Sequence, residues 1–159
     1  MASTTFSGPV TSTNGFISGS GSVVTLSSDT TLTSGSHAGR VMLLDKDSGA
    51  TITLPAASGS GNVYKFFVKT TITSNNYVIQ VASSDDTMSG IAVVANDTND
   101  EASIFETLAA SDTITLDGST KGGILGGIIE LQDLYSGKYS VKIHQSATGS
   151  EATPFSAAV

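Results

Sequence analysis

The sequence predicts an all-β protein: a single β-sandwich or barrel, jelly-roll or tulip-like, preceded by an extended N-terminal arm. Three observations carry this expectation. Strand signals recur about every 8 to 12 residues, with turn residues between them. Helical periodicity sustained over three turns occurs nowhere, and residues 101–110 are the one short helical candidate. Serine and threonine supply 46 of the 159 residues, 25 Ser and 21 Thr, and these residues favour turns and strands respectively.

The chain divides by composition. Residues 1–22 are rich in Ser, Thr and Gly, with Phe6, Pro9, Val10, Phe16 and Ile17 as isolated apolar positions. Such a stretch has too little apolar area to order itself and is expected to be held by a partner. Residues 23–145 read as the β domain. Residues 146–159 return to the composition of the arm, with Pro154 and Phe155 as an anchor-like pair.

Within the domain, Val23–Leu26 and Thr30–Thr33 are short strand candidates, and residues 34–39 read as a turn. Arg40–Leu44 reads as a buried strand. The stretch 48–69 holds two strands and a turn, read as a hairpin. Ile52 and Leu54 share one face of the first strand, and Pro55 ends it by removing a ladder donor. Ser58-Gly59-Ser60-Gly61 supplies the turn. In the second strand Tyr64, Phe66 and Val68 lie opposite Val63, Lys65, Phe67 and Lys69. Phe67 between two lysines is the odd residue, and a second layer or a neighbouring subunit is expected to cover it. Lys65, Phe67 and Lys69 are therefore candidates for an oligomer interface.

Further strands follow with Tyr77, Ile79 and Val81 on one face, then at residues 91–95, 104–108 and 113–116. Thr113-Ile114-Thr115-Leu116 repeats Thr51-Ile52-Thr53-Leu54, as though two strands solve one packing problem. Gly122–Gly127 is a flexible or bulged connection into residues 128–131. Ser136-Gly137 turns into a last strand with Tyr139, Val141 and Ile143 opposite Ser140, Lys142 and His144.

Charged residues make up 13% of the chain, about half the usual share of roughly 25%. A hydroxyl-rich surface poor in charge suits a protein that keeps much of itself against other protein. The net charge of −7, with seven scattered basic residues, argues against nucleic acid, which needs clustered Lys and Arg. No apolar run is long enough to span a bilayer, so no membrane partner is expected. There are no cysteines, hence no disulfides or thiolate metal sites. The N-terminus lacks the basic and apolar regions of a secretory signal.

Catalytic chemistry finds no foothold. His37 lies in a Ser/Gly turn and His144 at a strand end, without a G-x-S-x-G elbow. Asp45-Lys46-Asp47-Ser48-Gly49 starts like a calcium loop but lacks the distal Glu. The acidic loop 97–101 could gather oxygens around calcium, though a solvated turn is the plainer reading. Paired carboxylates for glycoside hydrolysis require aromatic sugar platforms, and the chain has no Trp. The expectation is a non-enzyme without cofactor or metal.

The opening MASTTFSGPVTSTNGF, the stretch from Ile52 to Lys69, the run Ser111–Leu116 and the ending Ala152-Thr153-Pro154-Phe155 together resemble the head decoration (cement) proteins of tailed bacteriophages. The resemblance implies a structural virion protein on the capsid exterior, made in the host cytoplasm. It implies a homotrimer that clamps neighbouring major capsid proteins. The arm, through Phe6, Pro9, Val10, Phe16 and Ile17, would add to an exposed sheet edge of the capsid. Fibre and receptor-binding modules of virions share this composition, and contact with a host glycan is the alternative.

Overall fold

The structure, a computed structural model, describes Thr5, Ser7, Gly8 and residues 23–159. The strands in chain order are β1 (Val23–Leu26), β2 (Thr30–Thr31), β3 (Val41–Leu44), β4 (Thr51–Thr53), β5 (Val63–Val68) and β6 (Tyr77–Gln80). They continue as β7 (Thr87–Asn96), β8 (Ala102–Glu106), β9 (Thr113–Leu116), β10 (Ile128–Tyr135), β11 (Lys138–Ala147) and β12 (Phe155–Ser156). A single helical turn, α1 (Ser34–His37), replaces the plain turn expected at residues 34–39. The residues expected to favour a helix at 101–110 instead form β8, because Ile104 and Phe105 serve opposite faces of a strand.

Two sheets pack as a sandwich. One has seven strands in the order β1-β3-β5-β10-β11-β7-β8, the other five in the order β12-β9-β6-β4-β2. Alternation sends Met42, Leu44, Tyr64, Phe66, Ile129, Leu131, Tyr139 and Ile143 inward from the large sheet. Ile52, Leu54, Tyr77, Ile79, Ile114 and Leu116 meet them from the small one. The repeated Thr-Ile-Thr-Leu segments do solve one packing problem. They flank β6 on its two sides, and both Ile52 and Ile114 stand opposite Ile79.

The stretch 48–69 is not a hairpin. β4 belongs to the small sheet and β5 to the large one, so the turn carries the chain across the core. Pro55 cannot continue the ladder, and Ile52 and Leu54 come to face the side chains of β5 across the sandwich rather than beside them. Nor is β3 buried on both faces: Met42 and Leu44 are fully covered, while Val41 is exposed and Leu43 half-buried. The last residues are integrated too, since β12 pairs with β9 and Phe155 is buried.

Most buried polar side chains are matched; among the described residues Glu151 Oε1 is the one buried side-chain atom without a partner. Tyr77 donates its hydroxyl to Leu26 O (3.0 Å) and Tyr139 donates to Pro55 O (2.8 Å), each bond linking the two sheets. Asp133, at 2% exposure, accepts five bonds from the crossing turn. The donors are the N–H groups of Ser58, Gly59 and Ser60 (3.0, 2.7 and 3.0 Å) and the hydroxyls of Ser58 and Ser60 (3.1 and 2.6 Å). Burial pushes its carboxyl upward, but these donors outweigh burial and hold it below the usual carboxylate range. Asp112 and Asp117 follow the same pattern, held by N–H groups of Ala158 and Val159 in one case and of Lys121 and Ser119 in the other.

Two expectations follow for stability. Gly90 lies where β7 runs beside β11, and a Cβ there would sit 1.8 Å from Val141 O. Backbone cannot yield as a side chain can, so Gly90→Ala should cost at least about 2 kcal/mol in chemical unfolding.

The second concerns pH. Asp112, Asp117 and Asp133 bind protons less tightly when folded than when unfolded, so their contribution is complete above the ordinary Asp value of about 4. It is lost as pH falls through their folded values. Thermal stability should be level from neutral pH down to about 5 and drop below about 4. Asp133→Asn should lower stability at neutral pH by about 1–3 kcal/mol and shrink the acid-dependent loss; an unchanged acid profile would show that the clamp is not among the groups responsible.

Candidate functional site

The distinctive surface is the outer face of the seven-stranded sheet. The small sheet packs against the inner face, so outward residues have no covering layer among the described residues. Cross-strand register places Thr25, Leu43, Phe67, Ile128, His144, Val93 and Ile104 in one row from β1 to β8. Five of these seven are aliphatic or aromatic. Ile128 and Ile104 are 48% and 64% exposed, whereas Phe67 and Leu43 are half-buried by their neighbours in the row.

The next row across the same strands reads Val23, Val41, Lys65, Glu130, Lys142, Ile91 and Glu106. Its centre is an ion-pair ladder: Glu130 meets Lys65 at 3.1 Å and Lys142 at 3.9 Å. Lys69 turns instead to Asp45 (2.6 Å), which also accepts from Thr70. The lysine and threonine bonds hold the Asp45 carboxyl below its ordinary value. The two lysines flanking Phe67 are thus engaged within the chain. Exposed pairs of this kind add little stability, but they keep charge off the apolar row.

Among the described residues no second layer lies over Phe67; it is flanked by Leu43 and Ile128 at the surface. Lys65, Phe67 and Lys69 do share one face. Phe6, Pro9, Val10, Phe16 and Ile17 lie outside the described residues. The companions of Phe67, namely Ile128, Val93, Ile104 and Ile91, are not legible from single strands. The available signal is that β5, β7 and β10 each carry apolar residues on both faces, and only the register joins them into a row.

A second feature opens at the edge of the sandwich, where β8 and β12 end their respective sheets. Between them runs a groove of about 340 Å³ lined by Phe105, Leu108, Ala110, Phe155 and Ala157, among others. Leu108 is 80% exposed there. Among the described residues β8 pairs only with β7. Asn96 N–H bonds to Glu101 O and Thr107 N–H to Gly90 O, so odd-numbered residues of β8 face β7. By the alternation of antiparallel ladders, Ala102, Ile104 and Glu106 turn their N–H and C=O groups outward.

The histidines form no reactive group. His37 accepts the Thr33 N–H through Nδ1 (3.0 Å) within α1's own turn, and His144 stands exposed between Ile128 and Val93. No cluster of three potential metal ligands occurs among the described residues. In the loop 97–101 the side chains are used locally, Asn96 capping Thr98 and Asn99 capping Glu101. No described helix is long and apolar enough to cross a membrane. Comparison with protein-family models, curated proteins and solved structures found no match.

The position of Phe67 sets its energetic weight. Half-buried, with no covering layer among the described residues, Phe67→Ala should cost about 1–2 kcal/mol in the isolated chain rather than the roughly 3–5 of a fully enclosed phenylalanine. A loss at the higher figure in dilute solution would mean that another copy covers it there.

Proposed function

We propose that this protein is a structural component of a virion surface, a decoration protein of the tailed-bacteriophage head type. It binds the major capsid protein from outside, assembles as a homotrimer and carries no enzymatic activity. The observation that supports this best is the apolar row across an uncovered sheet face in a chain with so little surface charge. Exposed contiguous apolar surface is retained where another protein covers it. Phe67, with Lys65 and Lys69 beside it, lies on the face offered to a neighbouring copy.

Residues 1–22 are the attachment element to the capsid, through Phe6, Pro9, Val10, Phe16 and Ile17. Copies of the arm on one oligomer act together, so modest contacts sum to firm binding. A glycan-binding module would offer an aromatic platform, and among the described residues Tyr135 is the one strongly exposed aromatic.

Deleting residues 1–20 should leave a folded domain, since the core formed by the described residues lies wholly beyond them. Co-sedimentation with undecorated heads should then fall by roughly tenfold or more, because burying a single phenylalanine contributes about 1.5–3 kcal/mol. Undiminished binding would move attachment onto the folded domain.

A further inference from the structure

We infer that the groove between β8 and β12 receives residues 2–10 of a second copy of this chain, added as a strand to the free edge of β8. The inference does not need a capsid, and it moves Phe6, Pro9 and Val10 from the proposed capsid contact to a contact between copies, leaving Phe16 and Ile17 for the capsid.

The edge comes first. Ala102, Ile104 and Glu106 present outward-facing N–H and C=O groups with no strand beside them among the described residues, an arrangement that accepts an extended segment. Glu106 is the only charge in β8; no lysine, proline or bulge guards its centre. A strand added there would send alternate side chains into the groove, against Phe105, Leu108 and Phe155.

The segment fits that geometry. In residues 2–10 the even positions are Ala2, Thr4, Phe6, Gly8 and Val10, and the odd positions are Ser3, Thr5, Ser7 and Pro9. One face carries every apolar side chain that could fill a groove; the other is hydroxyls and one proline. Hydrogen-bonding direction alternates with the same period. Added parallel to β8, the residues that bond to its edge lie opposite Ser103 and Phe105 and share their inward face. The even residues can then both bond and fill the groove, and the missing N–H of Pro9 points away to the outer edge, where proline is tolerated.

Length decides whose groove is filled. β1 and β8 are opposite edges of the seven-stranded sheet, about 29 Å apart at the usual strand spacing, and the added strand lies one spacing further. The chain from Val10 to Val23 has thirteen steps, at most about 45 Å when fully extended. As a flexible Gly/Ser-rich linker it spans only about 20 Å on average. Reaching its own groove, about 34 Å away, would hold the linker at about three quarters of full extension and well past its average span, whereas a copy whose β8 edge lies beside β1 is within easy reach. Thr5, Ser7 and Gly8 are exposed, and nothing stands within 4 Å of the Gly8 Cβ position. Head-to-tail contacts of this kind generate rings where the rotation between copies closes and filaments where it does not.

The test is a complementation by sedimentation velocity on full-length chains. Phe6→Asp disables the segment, and Leu108→Asp disables the groove at an exposed position where folding does not depend on it. Each variant alone should dissociate roughly tenfold to a hundredfold more readily than the parent. An equimolar mixture should form a one-to-one pair that neither variant forms alone, because one intact segment meets one intact groove. Thermal melting of both variants close to the parent would confirm intact domains. The inference is overturned if the parent is a monomer, if Leu108→Asp leaves assembly intact, or if the mixture fails to pair. Assembly lost only in Phe67→Asp would place the contact on the outer sheet face and leave the decoration reading standing.

Discussion

The parallel pairing of β7 with β11, ten residues long, is the constraint on which the large sheet depends. It joins the β10–β11 hairpin, and through β10 the β5-β3-β1 half, to the β7–β8 hairpin. Without it the sheet would fall into two pieces, each with an extra open edge. The pairing is close enough at Gly90 that the carbonyl of Val141 occupies the place of a side chain. Gly90 N–H donates to the Thr107 hydroxyl (3.0 Å) and its carbonyl accepts from Thr107 N–H (3.1 Å). One residue without a Cβ thus fixes β7 to both neighbours. The breadth of the apolar row on the outer face is a direct result, because the row exists only while all seven strands are in register.

The interior and the exterior of this sandwich obey different rules. Inside, burial is nearly complete and most polar groups are paired: tyrosine hydroxyls bridge the sheets, and Asp133 gathers the donors of the crossing turn. Outside, the same alternation that fills the core leaves Phe67, Ile128, Val93 and Ile104 facing outward, with Glu130 paired to the two lysines beside them, Lys65 and Lys142. A monomer gains nothing from such a face. An assembly gains an apolar surface already held in place by seven strands, so little conformational entropy is lost when a partner covers it.

Much of this fold was legible in the residues. The alternation of Tyr77, Ile79 and Val81, the turn at Ser136-Gly137 and the repeat of Thr-Ile-Thr-Leu each reflect contacts local to one strand or one turn. What was not legible depends on register between distant strands. Residues 51–54 and 63–68 look like a hairpin because alternation and turn chemistry are the same whether two strands pair or pass into opposite sheets. The outer row draws one residue from each of seven strands, and no single strand announces it. Phe155 stood out as an anchor, but its place beside Ile114 required knowing that β9 had a free side. The arm's role rests on composition, and the edge that could receive it emerged only from the ladder of β7 and β8.

The tyrosines give the molecule an optical property. With no tryptophan in the chain, tyrosine dominates its near-ultraviolet signal. Tyr64, Tyr77 and Tyr139 are buried, with Tyr64 and Tyr139 edge to face at 6.4 Å, while Tyr135 is exposed. Burial pushes the Tyr77 hydroxyl up to about 12 and raises that of Tyr139 as well, so both keep their protons in alkali that would strip them in an unfolded chain. Near-ultraviolet dichroism therefore reports on the meeting of the two sheets, and phenolate absorbance on their separation, without any label attached to the surface.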